Sequence, residues 1–188
     1  MNKKVKEAIE RLLDRKGLIL GICNGFQALV KSGLLPYGKI GELDGNSPTL
    51  FHNDINRHIS QIVSTRVGSV QSPWLAGFKE GELHSVAASH GEGKFVANKE
   101  LISELKRNGQ IAFQYVDSEG NATMESPYNP NGSYEAIEGI ISPDGLILGK
   151  MAHSERYEEG LMKNIHGNKK QNLFANAMAY FRKNQNKD

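Results

Sequence analysis

The 188-residue sequence is short of cysteine, tryptophan and proline, with one, one and six of them. A single cysteine excludes an intrachain disulfide framework. No apolar run reaches the roughly 18 residues that a membrane span needs, and no charged-then-apolar leader is read, so the expected setting is soluble, reducing and cytoplasmic. Charge of one sign is missing too: 23 Lys and Arg against 21 Asp and Glu leave a net +2, too balanced to announce a nucleic-acid or membrane surface. The cluster Lys3, Lys4 and Lys6 reads as a solvated helix face. No internal repeat, low-complexity stretch or linker breaks the chain. With 38% hydrophobic and 23% charged residues, one domain over 1–188 with a single real core is the simplest organisation. Asn121-Ala-Thr123 and Asn131-Gly-Ser133 match the glycosylation pattern, which is common by chance, and no function is assigned to them.

What is present is an alternation of helical and extended patterns. Val5, Ala8, Ile9, Leu12 and Leu13 recur at helical spacing from Lys3 to Arg15, predicting a helix that lays one stripe on a core and ends at Gly17. Leu18 to Ile22 is an unbroken apolar run, predicting a strand buried on both faces as in a parallel sheet. Phe26 to Ser32 reads as a helix closed by a left-handed Gly33. Extended patterns follow at Ile59 to Val67, Leu83 to Ala88 and Gln110 to Val116, with a helix at Leu101 to Arg107. Asn129-Pro-Asn-Gly132 and Pro143-Asp-Gly145 are turn signals, and the runs Glu138 to Ser142 and Leu146 to Met151 predict a hairpin. Leu173, Phe174, Ala177, Met178 and Phe181 share one face of a closing helix. The class is α/β with a mixed sheet.

Gly21-Ile-Cys23-Asn-Gly25 has the form of a nucleophile elbow on a strand-to-helix turn. Glycines two before and two after the cysteine let the chain fold back, and the helix that follows aims N–H groups and its positive end at the sulfur. Both effects are expected to favour thiolate. An isolated cysteine after an apolar strand is more often a buried small hydrophobe, and the glycine spacing is what sets this one apart. Six histidines compete as base: His52, His58, His84, His90, His153 and His166. His153 stands out because it follows a strand and has Glu155 two residues on, where alternation in extended chain points both the same way. His-x-Glu on its own is also compatible with a surface pair.

Four runs extend this reading. Gly21-Ile-Cys-Asn-Gly-Phe-Gln27, Ser89-His-Gly-Glu-Gly-Lys-Phe95, Asn129-Pro-Asn-Gly-Ser133 and Gly149-Lys-Met-Ala-His-Ser-Glu-Arg156 occur in the order seen in class I glutamine amidotransferases. Within that class the chain most resembles the glutaminase domain of phosphoribosylformylglycinamidine synthases, and Arg57-His-Ile to Ser72-Pro-Trp-Leu75 is similar to the C-terminal part of the long single-chain forms. The resemblance runs from about Lys6 to Phe181. It implies a flavodoxin-like mixed sheet flanked by helices. It further implies Cys23 as nucleophile, His153 as general acid and base, Glu155 as the carboxylate orienting it, and the backbone N–H of Asn24 as an oxyanion donor. Gln27 and the stretch Ser89, His90 and Gly91 would hold the amino-acid end of L-glutamine. No metal and no cofactor is implied in this chain. ATP and magnesium belong to the synthetase domain or subunit that would be its partner and make the whole a ligase of purine biosynthesis.

Two departures accompany the resemblance. Ala152 and Ser154 flank His153 where relatives commonly have prolines. Relatives also carry tens of residues before the nucleophile strand, with the first strand of the sheet and a Gly-rich loop donating a second oxyanion N–H. The expectation is therefore an N-terminally truncated glutaminase domain lacking both. Two rivals stay open: a catalytically impaired fragment that only folds or docks, and another elbow-cysteine hydrolase.

Overall fold

The computed structural model describes residues 2–185. Helix α1 (Lys3–Asp14) begins where the Asn2 side chain accepts the Lys4 N–H at 2.9 Å. Its apolar stripe reaches the core less than expected: none of its residues is buried, Ile9 and Leu13 pack there in part, and Val5 and Leu12 stay exposed. The helix stops before Gly17, at Arg15, because Lys16 itself takes the left-handed conformation with φ 58°.

The next strand, β1 (Ile19–Ile22), runs parallel to β8 (Ile147–Lys150), its one strand neighbour among the described residues. Having a single neighbour, β1 is half-buried rather than covered on both faces; only Gly21 is fully buried. Helix α2 (Asn24–Lys31) follows directly, Gly33 closing it at φ 80°, and a short turn α3 (Leu34–Tyr37) comes next. Strands β2 (Thr49–His52) and β5 (Glu92–Val96) form a separate antiparallel ribbon.

The main sheet is completed by β3 (Ile59–Val67), β4 (Leu83–His90), β6 (Ile111–Tyr115) and β7 (Ile137–Ile141), in the order β1-β8-β7-β6-β3-β4. Every pairing but β1 with β8 is antiparallel, so the sheet is mixed. The predicted hairpin is β7 and β8, turned by Ser142 to Gly145: the Gly145 N–H donates to Ser142 O at 2.9 Å, and Gly145 supplies φ 72°. Beyond β8 the chain crosses back to the far edge, where His153 N–H donates to Ala87 O of β4 at 2.7 Å. The sheet is curled, so that its two ends meet there: Cys23, just after β1, lies against Ser89 of β4.

Helices α2 and α4 (Lys99–Arg107) cover one face, with Phe26, Val30, Leu105, Ile137 and Ile147 at the centre of that core. The other face is covered by α5 (Leu173–Gln185) and a 3-10 turn at Pro73–Leu75. There Trp74 is buried beside Leu173 and Ala177, its indole N–H donating to Leu146 O at 3.1 Å. The α5 residues read as one face divide in two: Leu173 and Ala177 are buried, whereas Phe174, Met178 and Phe181 are exposed. Asn131 is fully buried and bonded to Gly93 O and Tyr115 Oη, which removes it as a glycosylation acceptor in the folded chain.

Candidate active site

Cys23 sits between β1 and α2 at φ 53°, ψ −110°, a conformation that non-glycine residues seldom hold and that costs on the order of 1–3 kcal/mol. The turn is tight because α2 lies close on β1. A Cβ on Gly21 would stand 2.5 Å from Leu29 Cδ1 and 2.7 Å from the Gly25 carbonyl, so this position requires glycine. Gly25 differs from the expectation: a Cβ there meets nothing within 4 Å, and what Gly21 avoids is the Gly25 backbone. The Cys23 N–H donates to Lys150 O at 2.8 Å, which ties the elbow to the end of β8.

The sulfur's balance also departs from the expectation. Burial raises the Cys23 pKa above its ordinary 9.0 and outweighs the Asn24 N–H and the Arg156 charge, both of which lower it; Glu155 adds a further push upwards. The resting group is a thiol. It donates a weak hydrogen bond to Ser89 O at 3.7 Å, across the curled sheet.

His153 lies three residues beyond Lys150 and is almost fully buried. Its Nδ1 is 2.6 Å from Glu155 Oε1, a separation that places the ring proton on Nδ1 and leaves Nε2 as the basic nitrogen. Nε2 is buried and has no hydrogen-bond partner among the described residues, the Cys23 sulfur included. Strand alternation does not make this pair, because Ser154–Arg156 is a 3-10 turn and Glu155 reaches the imidazole around it.

Gln27, one turn along α2 from Cys23, donates its amide to Glu92 O at 2.7 Å. Ser89 Oγ is 3.1 Å from His58 Nε2. His90 turns inward: its Nδ1 lies 3.2 Å from Asn53 Oδ1, and Asn53 Nδ2 donates back to His90 O at 2.8 Å. Burial, then the nearby His58 and His153, lower the His90 pKa to about 4. Gly91 O accepts the Asn53 N–H at 3.1 Å. The fold thus brings Cys23 beside Ser89 and pairs His153 with Glu155, while Gln27 meets the same β4–β5 connection from α2. Asn53 and the buried Glu138 and Lys150 were not singled out in the sequence, and His58 entered only as one of six candidate bases. Asn53 carried no signal, but two charges inside the apolar runs of β7 and β8 were a visible one. No group of three or more His, Cys, Asp or Glu is arranged to hold a metal ion among the described residues.

The family model of the CobB/CobQ-like glutamine amidotransferase domain matches residues 1–181. The chain belongs to this family. It is 39% identical over 155 residues to the phosphoribosylformylglycinamidine synthase subunit PurQ of Koribacter versatilis, covering 82% of this chain and 62% of that one. It is 34% identical over 176 residues to PurQ of Gloeobacter violaceus, covering 93% and 70%. Among solved structures, that of PurLQS from Thermotoga maritima superposes with a TM-score of 0.68 at 26% identity, covering 95% of this chain and 68% of that one. The chain therefore spans about two thirds of the length of these relatives, and its mixed sheet flanked by helices superposes on the PurLQS structure over nearly its whole length. Among the described residues, no helix is long and apolar enough to cross a membrane.

Proposed function

We propose that this chain is the glutaminase part of a phosphoribosylformylglycinamidine synthase, releasing ammonia from L-glutamine for a synthetase partner that uses ATP and magnesium. The observation that carries the proposal is the His153–Glu155 pair at 2.6 Å with a bare, buried Nε2, held at the end of the strand that also anchors the Cys23 N–H. Because Cys23 rests as a thiol, His153 acts first as base, taking the thiol proton as sulfur attacks the carboxamide carbon. The Asn24 N–H then faces the developing oxyanion. His153 returns the proton to departing ammonia, leaving a γ-glutamyl thioester, and next activates the water that hydrolyses it. Gln27, with its amide N–H engaged by Glu92, keeps its carbonyl oxygen for the substrate ammonium, and the Ser89 to Gly91 backbone faces the same end.

Steady-state glutamate release from glutamine tests this. Turnover should fall about a thousandfold or more in Cys23→Ala and in His153→Ala, and substantially less in Glu155→Gln. Turnover independent of Cys23 overturns the proposal. A second reading, an impaired module that only docks, is favoured by one observation: the sulfur is bonded to Ser89 O and not to His153. In that case the wild-type chain shows no Cys23-dependent turnover, alone or with its synthetase partner.

A further inference from the structure

Lys150 of β8 and Glu138 of β7 face each other with their charged atoms 3.3 Å apart, and neither exposes any side-chain surface. The Lys150 ammonium lies 5.3 Å from the centre of the Phe113 ring, and Glu138 Oε2 has no partner among the described residues. Such a pair is a weak source of stability, since well-packed apolar residues of similar volume often serve as well or better. Its hydrogen bonds point to another role. Lys150 Nζ donates to Ala152 O at 2.6 Å, and the Ala152 N–H donates to Glu138 Oε1 at 2.6 Å. Both polar groups of the residue before His153 are therefore held, one by each member of the pair. The Met151 N–H adds a bond to Glu138 O at 3.0 Å. Lys150 also reaches the elbow, because its own carbonyl accepts the Cys23 N–H at 2.8 Å.

We propose that the buried Lys150–Glu138 pair is a positioning device that fixes the peptide groups of Ala152 and thereby sets His153 against Cys23. The functional meaning rests on the reading of Cys23 and His153 as nucleophile and base. Neither member of the pair touches reacting atoms. Lys150 ties the two halves of the site through a single residue, its carbonyl on the nucleophile side and its ammonium on the base side. Beyond the clamp, the backbone at His153 is held by its N–H bond to Ala87 O at 2.7 Å and by the Arg156 N–H that its carbonyl accepts at 3.3 Å. Without the clamp the imidazole's backbone would rest on those two bonds, one to β4 and one within the 3-10 turn that follows.

Removing one charge would strand the other, so the test replaces both. The variant is Lys150→Met/Glu138→Met in the full chain, with folding checked by circular dichroism. The His153 N–H keeps its acceptor on β4 in this variant, so its hydrogen exchange reads position rather than a deleted bond. Exchange at His153 should quicken at least tenfold, while Leu148 in the middle of β8 stays within twofold. In the same variant kcat for glutamine should drop at least tenfold with KM within threefold, and alkylation of Cys23 by iodoacetamide should stay within twofold. Unchanged His153 exchange in the folded variant overturns the inference. Should that variant not fold, Lys150→Met/Glu138→Gln leaves no buried charge and keeps an acceptor for the Ala152 N–H. His153 exchange should then quicken at least threefold, and no change is again fatal. A wild-type chain that releases no glutamate would remove the glutaminase reading alone, because the exchange measurement still decides whether the pair holds His153.

Discussion

At the scale of single residues, environment sets the chemistry of Cys23 and His90 more than residue type does. The elbow and the helix N–H were legible around Cys23, but the sign of its pKa shift was not, because burial depends on what β4 brings across the sheet. The raised pKa predicts that alkylation of Cys23 climbs with pH and reaches half its plateau above 9.0, the ordinary thiol value. Iodoacetamide rates from pH 6 to 10 check this; a half-maximum well below that value would mean a preformed thiolate. For His90 the folded pKa of about 4 lies below the ordinary 6.5. Between those values the unfolded chain binds the extra proton, so stability falls as pH drops from 6.5 towards 4 and levels off below. The loss is about 3 kcal/mol at most. Urea unfolding across that range should show the slope in wild type and a flatter one in His90→Gln; identical slopes would rule out His90 as the source.

At the scale of elements, strand and helix positions followed closely from apolar period and turn residues, as at β3, α4 and the β7–β8 hairpin. Which face is covered did not follow. Helix α1 has a regular stripe but packs only Ile9 and Leu13, and α5 offers Phe174, Met178 and Phe181 to solvent, because burial depends on neighbours that a local pattern cannot name. The His153–Glu155 pair was similar: the spacing marked both residues, but the 3-10 turn that brings them together was not in it. The elbow glycines make a sharp comparison. Gly21→Ala should cost about 1–3 kcal/mol, since its Cβ collides with Leu29 and the Gly25 backbone. Gly25→Ala meets open space and should be neutral or stabilise by up to about 1 kcal/mol. Equal destabilisation by the two changes, measured by urea midpoint, would contradict the packing of α2 on β1.

At the scale of the whole molecule, three hydrophobic clusters lie against one curled sheet, and the outer layers are attached unequally. Helix α1 buries no residue, whereas β6 and β7 are buried along their whole length. Native-state hydrogen exchange should therefore find α1 opening at a much lower free energy than the central strands. Uniform protection over both would show that α1 is part of the cooperative unit. The position of Trp74 makes the opposite layer easy to follow. It is the chain's only tryptophan, and it sits beneath α5. Its fluorescence is thus an internal gauge of that layer: emission should shift to the red when α5 lifts and stay nearly constant while α1 frays. One optical signal can then tell which side of the sheet comes apart first.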